Sequence, residues 1–302
     1  MTELSDLIDL DAARAELGSG YEFTEGPAWS VREQALIFSD VPGNARYRWA
    51  DDGPPALIAS PTAKGNGMVY ERSGDYLVCE SDTSVVSRFT PAGERTVVAS
   101  HFEGAELNSP NDIVTRADDS IYFTDPNYGR WNDRFGIARE SDLDFQGVFR
   151  CEADGSNLQL VVPRDEFEQP NGLCFSPDES LLYVNDSPRC HVKVFDVASD
   201  GSLGDGRVFF EGLGTGAVGA STPDGMKCDE LGNVWAGGPD GIWVIDPAGR
   251  LLGIVPMPEF PGNLAWGGSD LKTLFVCSST TVIAVPTKVA SAPLPCHCVE
   301  AG

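Results

Sequence analysis

The 302-residue sequence predicts an all-β fold, a six-bladed β-propeller, and three observations carry that prediction. A short phrase recurs six times: a Gly- or Pro-flanked residue with side-chain oxygen, followed by an apolar run. The recurrences are spaced by roughly 40–60 residues, close to the period of a unit of about four short strands. Between them the apolar stretches are short and rich in β-branched and aromatic residues. Clusters of Asp, Gly, Ser and Pro break them where turns are needed.

The openings, in order, are Thr24-Glu25-Gly26-Pro27, Gly65-Asn66-Gly67-Met68, Pro110-Asn111-Asp112-Ile113, Pro170-Asn171-Gly172-Leu173, Pro223-Asp224-Gly225-Met226 and Gly262-Asn263-Leu264. Each is followed by two apolar stretches around a polar turn, as in Asn171-Gly-Leu-Cys-Phe-Ser-Pro-Asp-Glu-Ser-Leu-Leu-Tyr-Val-Asn-Asp186, and this reads as a strand pair. Further strands are predicted over 85–89, 147–150, 192–195 and 241–245. They end near turns such as Pro91-Ala92-Gly93 and Pro247-Ala248-Gly249. The last unit, from Asn263 through 282–285, is one strand short. The segment 15–23 is expected to supply that strand and close the ring, which removes the exposed edges of an open sheet. One propeller domain is therefore expected over 1–302, with a short N-terminal extension, 1–14, and a C-terminal tail, 288–302. Two insertions interrupt the pattern. The first, 128–145, carries Arg130, Trp131, Arg134 and Arg139 and is expected to be a loop over a binding face. The second, 212–222, is almost all small residues.

Composition narrows the function. The hydrophobic fraction of 41% is enough for a core, and 33 Gly with 21 Pro suit many tight turns. A formal net charge of −25 repels phosphate backbones, so no nucleic-acid partner is expected. No apolar run reaches the length of a membrane-spanning helix, so no membrane partner is expected. The N-terminus, Met1-Thr2-Glu3-Leu4-Ser5-Asp6, is acidic where a secretory signal is basic, which points to the cytoplasm. The oligomeric state is left open. Cys79, Cys151, Cys174, Cys190, Cys228 and Cys277 stand alone and read as buried free thiols. Cys296-His297-Cys298 is short of the four ligands of structural zinc. Neither His101, His191 nor His297 lies in a zinc-helix pattern, and there is no Gly-x-Ser-x-Gly turn and no phosphate-binding Gly loop.

The innermost strand of each propeller blade lines the central channel. If Glu25, Asn66, Asn111, Asn171, Asp224 and Asn263 hold one place in six such strands, their oxygens ring one channel mouth. Two carboxylates among amides raise each other's pKa by repulsion. A hard cation of calcium size relieves that repulsion and prefers oxygen ligands. The sequence thus predicts a metal site at one end of the channel.

The motifs Glu25-Gly-Pro-Ala-Trp29, Leu107-Asn-Ser-Pro-Asn-Asp112, Tyr122-Phe-Thr-Asp-Pro-Asn-Tyr-Gly129, Gln169-Pro-Asn-Gly-Leu173 and Pro223-Asp-Gly-Met226 together resemble the SMP-30/gluconolactonase/LRE family of six-bladed propellers, from about Tyr21 to Pro286. The resemblance implies a divalent metal with Glu25, Asn111, Asn171 and Asp224 as its ligands. Calcium is the first expectation, and magnesium, manganese and zinc stay open. Animal members acting on sugar lactones carry an Arg two residues before the third-blade Asn. Ser109 stands there, so the wording is closer to the microbial gluconolactonase branch. The implied activity is hydrolytic opening of a small-molecule sugar lactone by a metal-activated water. Asp224 is expected to be the base and Glu25 an electrostatic catalytic ligand. Asn66, Asn108, Asn111, Tyr128, Arg130, Trp131 and Asn263 are expected to contact substrate. The alternatives are a phosphotriester or phosphofluoridate hydrolase on the same scaffold, and a non-catalytic calcium- or protein-binding propeller.

Overall fold

Six four-stranded antiparallel sheets follow one another in the computed structural model, which describes residues 2–50, 53–216 and 222–298. The innermost strands touch in cyclic order, each against the next and the last against the first, so the sheets close a ring around one channel. Blade 1 runs Thr24–Ser30, Ala35–Asp40, Ala45–Trp49 and Ala56–Ala59, from the axis outward. Blades 2 to 5 repeat this order, beginning at Gly65–Tyr70, Ile113–Thr115, Pro170–Phe175 and Met226–Cys228. Blade 6 takes Pro261–Gly267, Thr273–Ser278 and Thr281–Pro286 from the C-terminal end and Ala15–Ser19 from the N-terminal end. Ala15 pairs with Ala284 and Ser19 with Thr281, so the missing strand comes from the expected segment and joins the two ends of the chain.

Burial explains the repeat. Each sheet is sandwiched between two others, so its inner strands are apolar on both faces, and Ala35–Asp40 and Ile121–Asp125 are buried throughout. Each fully buried Leu, Val or Phe contributes roughly 1.5–3 kcal/mol relative to exposure. Outermost strands have one neighbour only, and three of the four residues of Ala56–Ala59 are exposed. Aromatic pairs fasten adjacent blades, as where Trp29 stacks on Phe275 at 5.2 Å across the closure.

Several details depart from the expectation. The innermost strands of blades 3 and 5 begin two residues after Asn111 and Asp224. The predicted strands 147–150 and 192–195 run as Gly147–Cys151 and His191–Asp196, a difference of one residue at their ends. The N-terminal extension packs: Leu7 and Ile8 are buried in a core cluster with Trp235, Val255, Leu264 and Val285. Of the small-residue insertion, 217–221 lie outside the described residues. The six isolated cysteines are buried and unpaired. Among the described residues no helix is long and apolar enough to cross a membrane.

Candidate active site

Strand register decides which residues form the ring. Thr24 pairs with Asp40, Gly65 with Glu80, Pro170 with Asp186 and Pro261 with Ser278, and a bulge follows each, in blade 1 after the Glu25–Ser39 pair. The residues that follow these pairs, Glu25, Asn66, Asn171 and Gly262, are therefore equivalent. The sixth place in the ring is Gly262, and Asn263 sits one layer further along the channel. Gly262 has a local reason: a Cβ there would stand 2.8 Å from Glu25 Oε1.

The chain holds the ring by its backbone. Ser39 Oγ donates to the Asn66 carbonyl at 3.2 Å, Thr124 Oγ1 to that of Asn171 at 2.8 Å, and Asn185 Nδ2 to that of Asp224 at 2.5 Å. In each case the second strand of one blade positions the ring residue of the next. The acid that follows each donor fixes the approach to the ring. Asp40 accepts from the N–H groups of Glu22 and Phe23, Asp125 from Asn108, and Asp186 from Glu168 and Gln169. Glycine after the ring residue allows close approach, since a Cβ on Gly26 would fall 2.0 Å from the Asn66 carbonyl oxygen and one on Gly172 2.4 Å from that of Asp224.

The ring opens into a cavity of ≈ 270 Å³. Glu25, Asn66, Asn111, Asn171 and Asp224 line it together, with Phe23, Val41, Tyr128, Trp131, Phe135 and Phe260 among its walls. Glu25 is buried and Asp224 is half-buried. Burial pushes the Glu25 carboxyl up to about 7; the Gly26 N–H pulls it back, and the Asp112 charge adds to the rise. Burial also pushes Asp224 well above the usual carboxylate range, and the Glu25 charge adds to it. Asn171 donates its Nδ2 to Ser187 Oγ at 3.2 Å, while its Oδ1 is buried with no donor in the protein, as is Oδ1 of Asn66. Two mutually repelling carboxylates beside an unpartnered buried amide oxygen fit a hard divalent cation.

Tyr128 and Trp131 line the cavity, packed edge to face at 4.8 Å. Arg130 and Asn108 do not. Arg130 is buried, with Nε donating to the Asn108 carbonyl at 2.7 Å, Nη1 to that of Glu140 at 2.8 Å, and Nη2 pairing with Glu106 at 2.9 Å. It anchors the insertion rather than facing a substrate. Asn108 spends its amide N–H groups on the carbonyls of Asp125 and Phe145. Asn263 Oδ1 accepts the Leu264 N–H at 2.9 Å, below the ring. Residues of the cavity not expected from the sequence to contact substrate include Phe23, Ser81, Ser109, Asn132, Ser187 and Phe260. Phe23 and Ser109 adjoin a recurring phrase and Asn132 lies in the 128–145 insertion, so these had a positional signal; Ser81 and Ser187 had none.

A smaller cavity, ≈ 50 Å³, lies at the far end of the channel, where residues 291–294, 296 and 297 close it. Its walls are mostly apolar and include neither Glu25 nor Asp224. Cys296 and His297 pack there, and His297 Nδ1 accepts the Leu294 N–H at 3.3 Å.

Fold and site together define a propeller whose channel mouth is ringed by oxygen-bearing side chains beneath a walled cavity. The chain belongs to the family described as SMP-30/Gluconolactonase/LRE-like region, whose model matches residues 23–280. It is 32% identical over 312 residues to a gluconolactonase of Zymomonas mobilis, covering 94% of this chain and 84% of that protein. A solved gluconolactonase structure from Xanthomonas campestris superposes with a TM-score of 0.86 at 30% identity, over 95% of this chain and 93% of the other. The calcium-binding protein regucalcin of Agrobacterium tumefaciens shares the fold, with a TM-score of 0.75 at 17% identity over 94% and 97% of the two chains.

Proposed function

We propose that this protein is a metal-dependent lactonase that opens sugar lactones of the gluconolactone type. One observation carries the reading: two carboxylates with raised pKa and an Asn oxygen without a donor meet at the floor of an open cavity. Its relatives named gluconolactonase supply the substrate class. Glu25, Asn111, Asn171 and Asp224 would hold the ion, and the all-oxygen set suits calcium. When bound, a divalent ion supplies Lewis-acid polarisation of a carbonyl and stabilises the oxyanion formed on attack.

The residues account for the rest. Asp224, made more basic by burial, takes the proton from the attacking water as its oxygen bonds to the lactone carbonyl carbon. The ring C–O bond breaks, and the leaving oxygen recovers a proton as a hydroxyl. Glu25 is held by the Gly26 N–H at 2.9 Å and acts through its charge. Asn66 offers an amide to substrate hydroxyls, while Tyr128 and Trp131 form an aromatic wall against the sugar ring. The test is a pH-stat assay of the wild type across aldonolactones and simple γ- and δ-lactones, with and without chelator. Asp224→Asn is expected to lower kcat by about 10²–10⁴-fold. Full activity in a variant that still binds metal would remove Asp224 from the role of base.

A further inference from the structure

The layer below the ring is not uniform. The residue after the ring position is glycine in four blades, Gly26, Gly67, Gly172 and Gly225, and carries a side chain in two, Asp112 and Asn263. These belong to blades 3 and 6, which face each other across a six-membered ring. Each uses its Oδ1 to accept the N–H of the next residue, Ile113 at 3.0 Å and Leu264 at 2.9 Å. Both side chains are thereby fixed in the layer below the ring.

Between them stands the ammonium of Lys227, from blade 5. Its Nζ is 3.4 Å from Asp112 Oδ2, 3.4 Å from Asn263 Oδ1 and 3.1 Å from the Met226 carbonyl. Asp112 is buried, and the lysine side chain is only 15% exposed. Nothing in packing demands a charge here, because a buried ion pair costs desolvation that a methionine of similar length avoids. The charges are informative when counted. Glu25, Asp112 and Asp224 feel one another through the channel, and Lys227 also acts on Glu25. Three carboxylates against one ammonium leave two negative charges, the charge one divalent ion neutralises.

We propose that Lys227 is the fixed counter-cation of the channel: it neutralises Asp112, leaves the ring with a charge matched to a single divalent ion, and so sets the affinity of the ring for that ion. The inference rests on the ring being a metal site. It assigns Lys227 and Asp112 a positioning role through charge, without contact with substrate.

The test is calorimetric titration of the metal-free protein with Ca²⁺ for the wild type, Lys227→Met, Asp112→Asn and the double variant, with thermal melts to confirm folding. Removing the ammonium is expected to tighten Ca²⁺ binding on the order of tenfold, and removing the carboxylate to weaken it on the same order. The double variant is expected to return close to the wild type, and Lys227→Arg to behave as the wild type. Where Lys227→Met fails to fold, recovery in the double variant of what Asp112→Asn loses carries the test. Single variants that both weaken binding, or a folded Lys227→Met with wild-type affinity, overturn the proposal and leave the lactonase reading standing. A wild type that opens lactones in the presence of chelator and takes up no Ca²⁺ removes the metal ring and this proposal together.

Discussion

The two ends of the channel are lined by the same six strands and have opposite characters. At the near end the strands and the segments leading into them present Glu25, Asn66, Asn111, Asn171 and Asp224 to an open cavity, and buried oxygens are left without donors. At the far end, four residues beyond the ring position, four of the strands present Trp29, Tyr70, Phe175 and Trp266, and the C-terminal strap covers them. The near end keeps charge and unmet hydrogen-bond capacity where water and ligand reach, which is costly for folding. The far end spends its surface on packing. One repeat therefore supplies both a scaffold and a site, and the choice is made by which end of the strand a residue occupies.

The largest expected effect lies at the near end. Asp224→Asn and Glu25→Gln should each abolish most activity, by about 10²–10⁴-fold for the base, yet leave the metal-free protein as stable or more stable. The stability gain follows because each substitution removes a desolvated charge that faces another. Melting temperature and kcat measured on the same samples decide it. A variant that lost both together would place these acids in the scaffold and end the distinction between the two ends. Asn171→Ala comes next. It deletes the oxygen that has no donor and should weaken Ca²⁺ binding by about 10–100-fold, with a smaller change in melting temperature. Calorimetry reads the first, and unaltered affinity would remove Asn171 from the ligand set.

How far the site was legible in the sequence follows the same division. The ring was visible because a Gly- or Pro-flanked oxygen residue cannot recur six times without a shared backbone need. Glu25, Asn66, Asn111, Asn171 and Asp224 accordingly meet in one cavity. The sixth member was misplaced by one residue. Gly262-Asn263 aligns either way as a string, and only the pairing of Pro261 with Ser278 fixes the layer. Arg130 was expected at the substrate because an Arg beside a Trp in an insertion looks exposed. Its burial is a tertiary event, made by carbonyls of Leu107, Asn108 and Glu140 that no local pattern reveals. Lys227 drew no notice inside an apolar run, although Asp112 and Asn263, standing where other blades have glycine, mark the layer it completes.

The far end should answer in stability alone. Ending the chain at Ser291 removes the Ala292 N–H bond to the Cys228 carbonyl, 3.0 Å, and exposes the apolar floor of the small cavity. A loss of about 2 kcal/mol is expected, with kcat/KM within about twofold of the full chain, measured by denaturant unfolding and the lactone assay. An equal collapse of activity in a folded truncation would show that the strap acts through the channel on the ring.

The smallest effect is confined to acid pH. Burial holds the His297 imidazole down to about 4, from its ordinary 6.5, and its Nδ1 is an acceptor in the docked strap. The docked form therefore binds fewer protons than the released form between those values. Its advantage is complete above pH ~6.5, shrinks as the pH falls below it, and is gone below about 4. In a Cys298→Ser background, Cys296 should become accessible to a pH-tolerant disulfide reagent as the pH drops through that window. Replacing His297 with Gln removes the titrating group, so Cys296 accessibility should then be flat with pH. A strap that still opened in acid in that variant would mean that another group at the far end drives the release, and that the histidine is packing only.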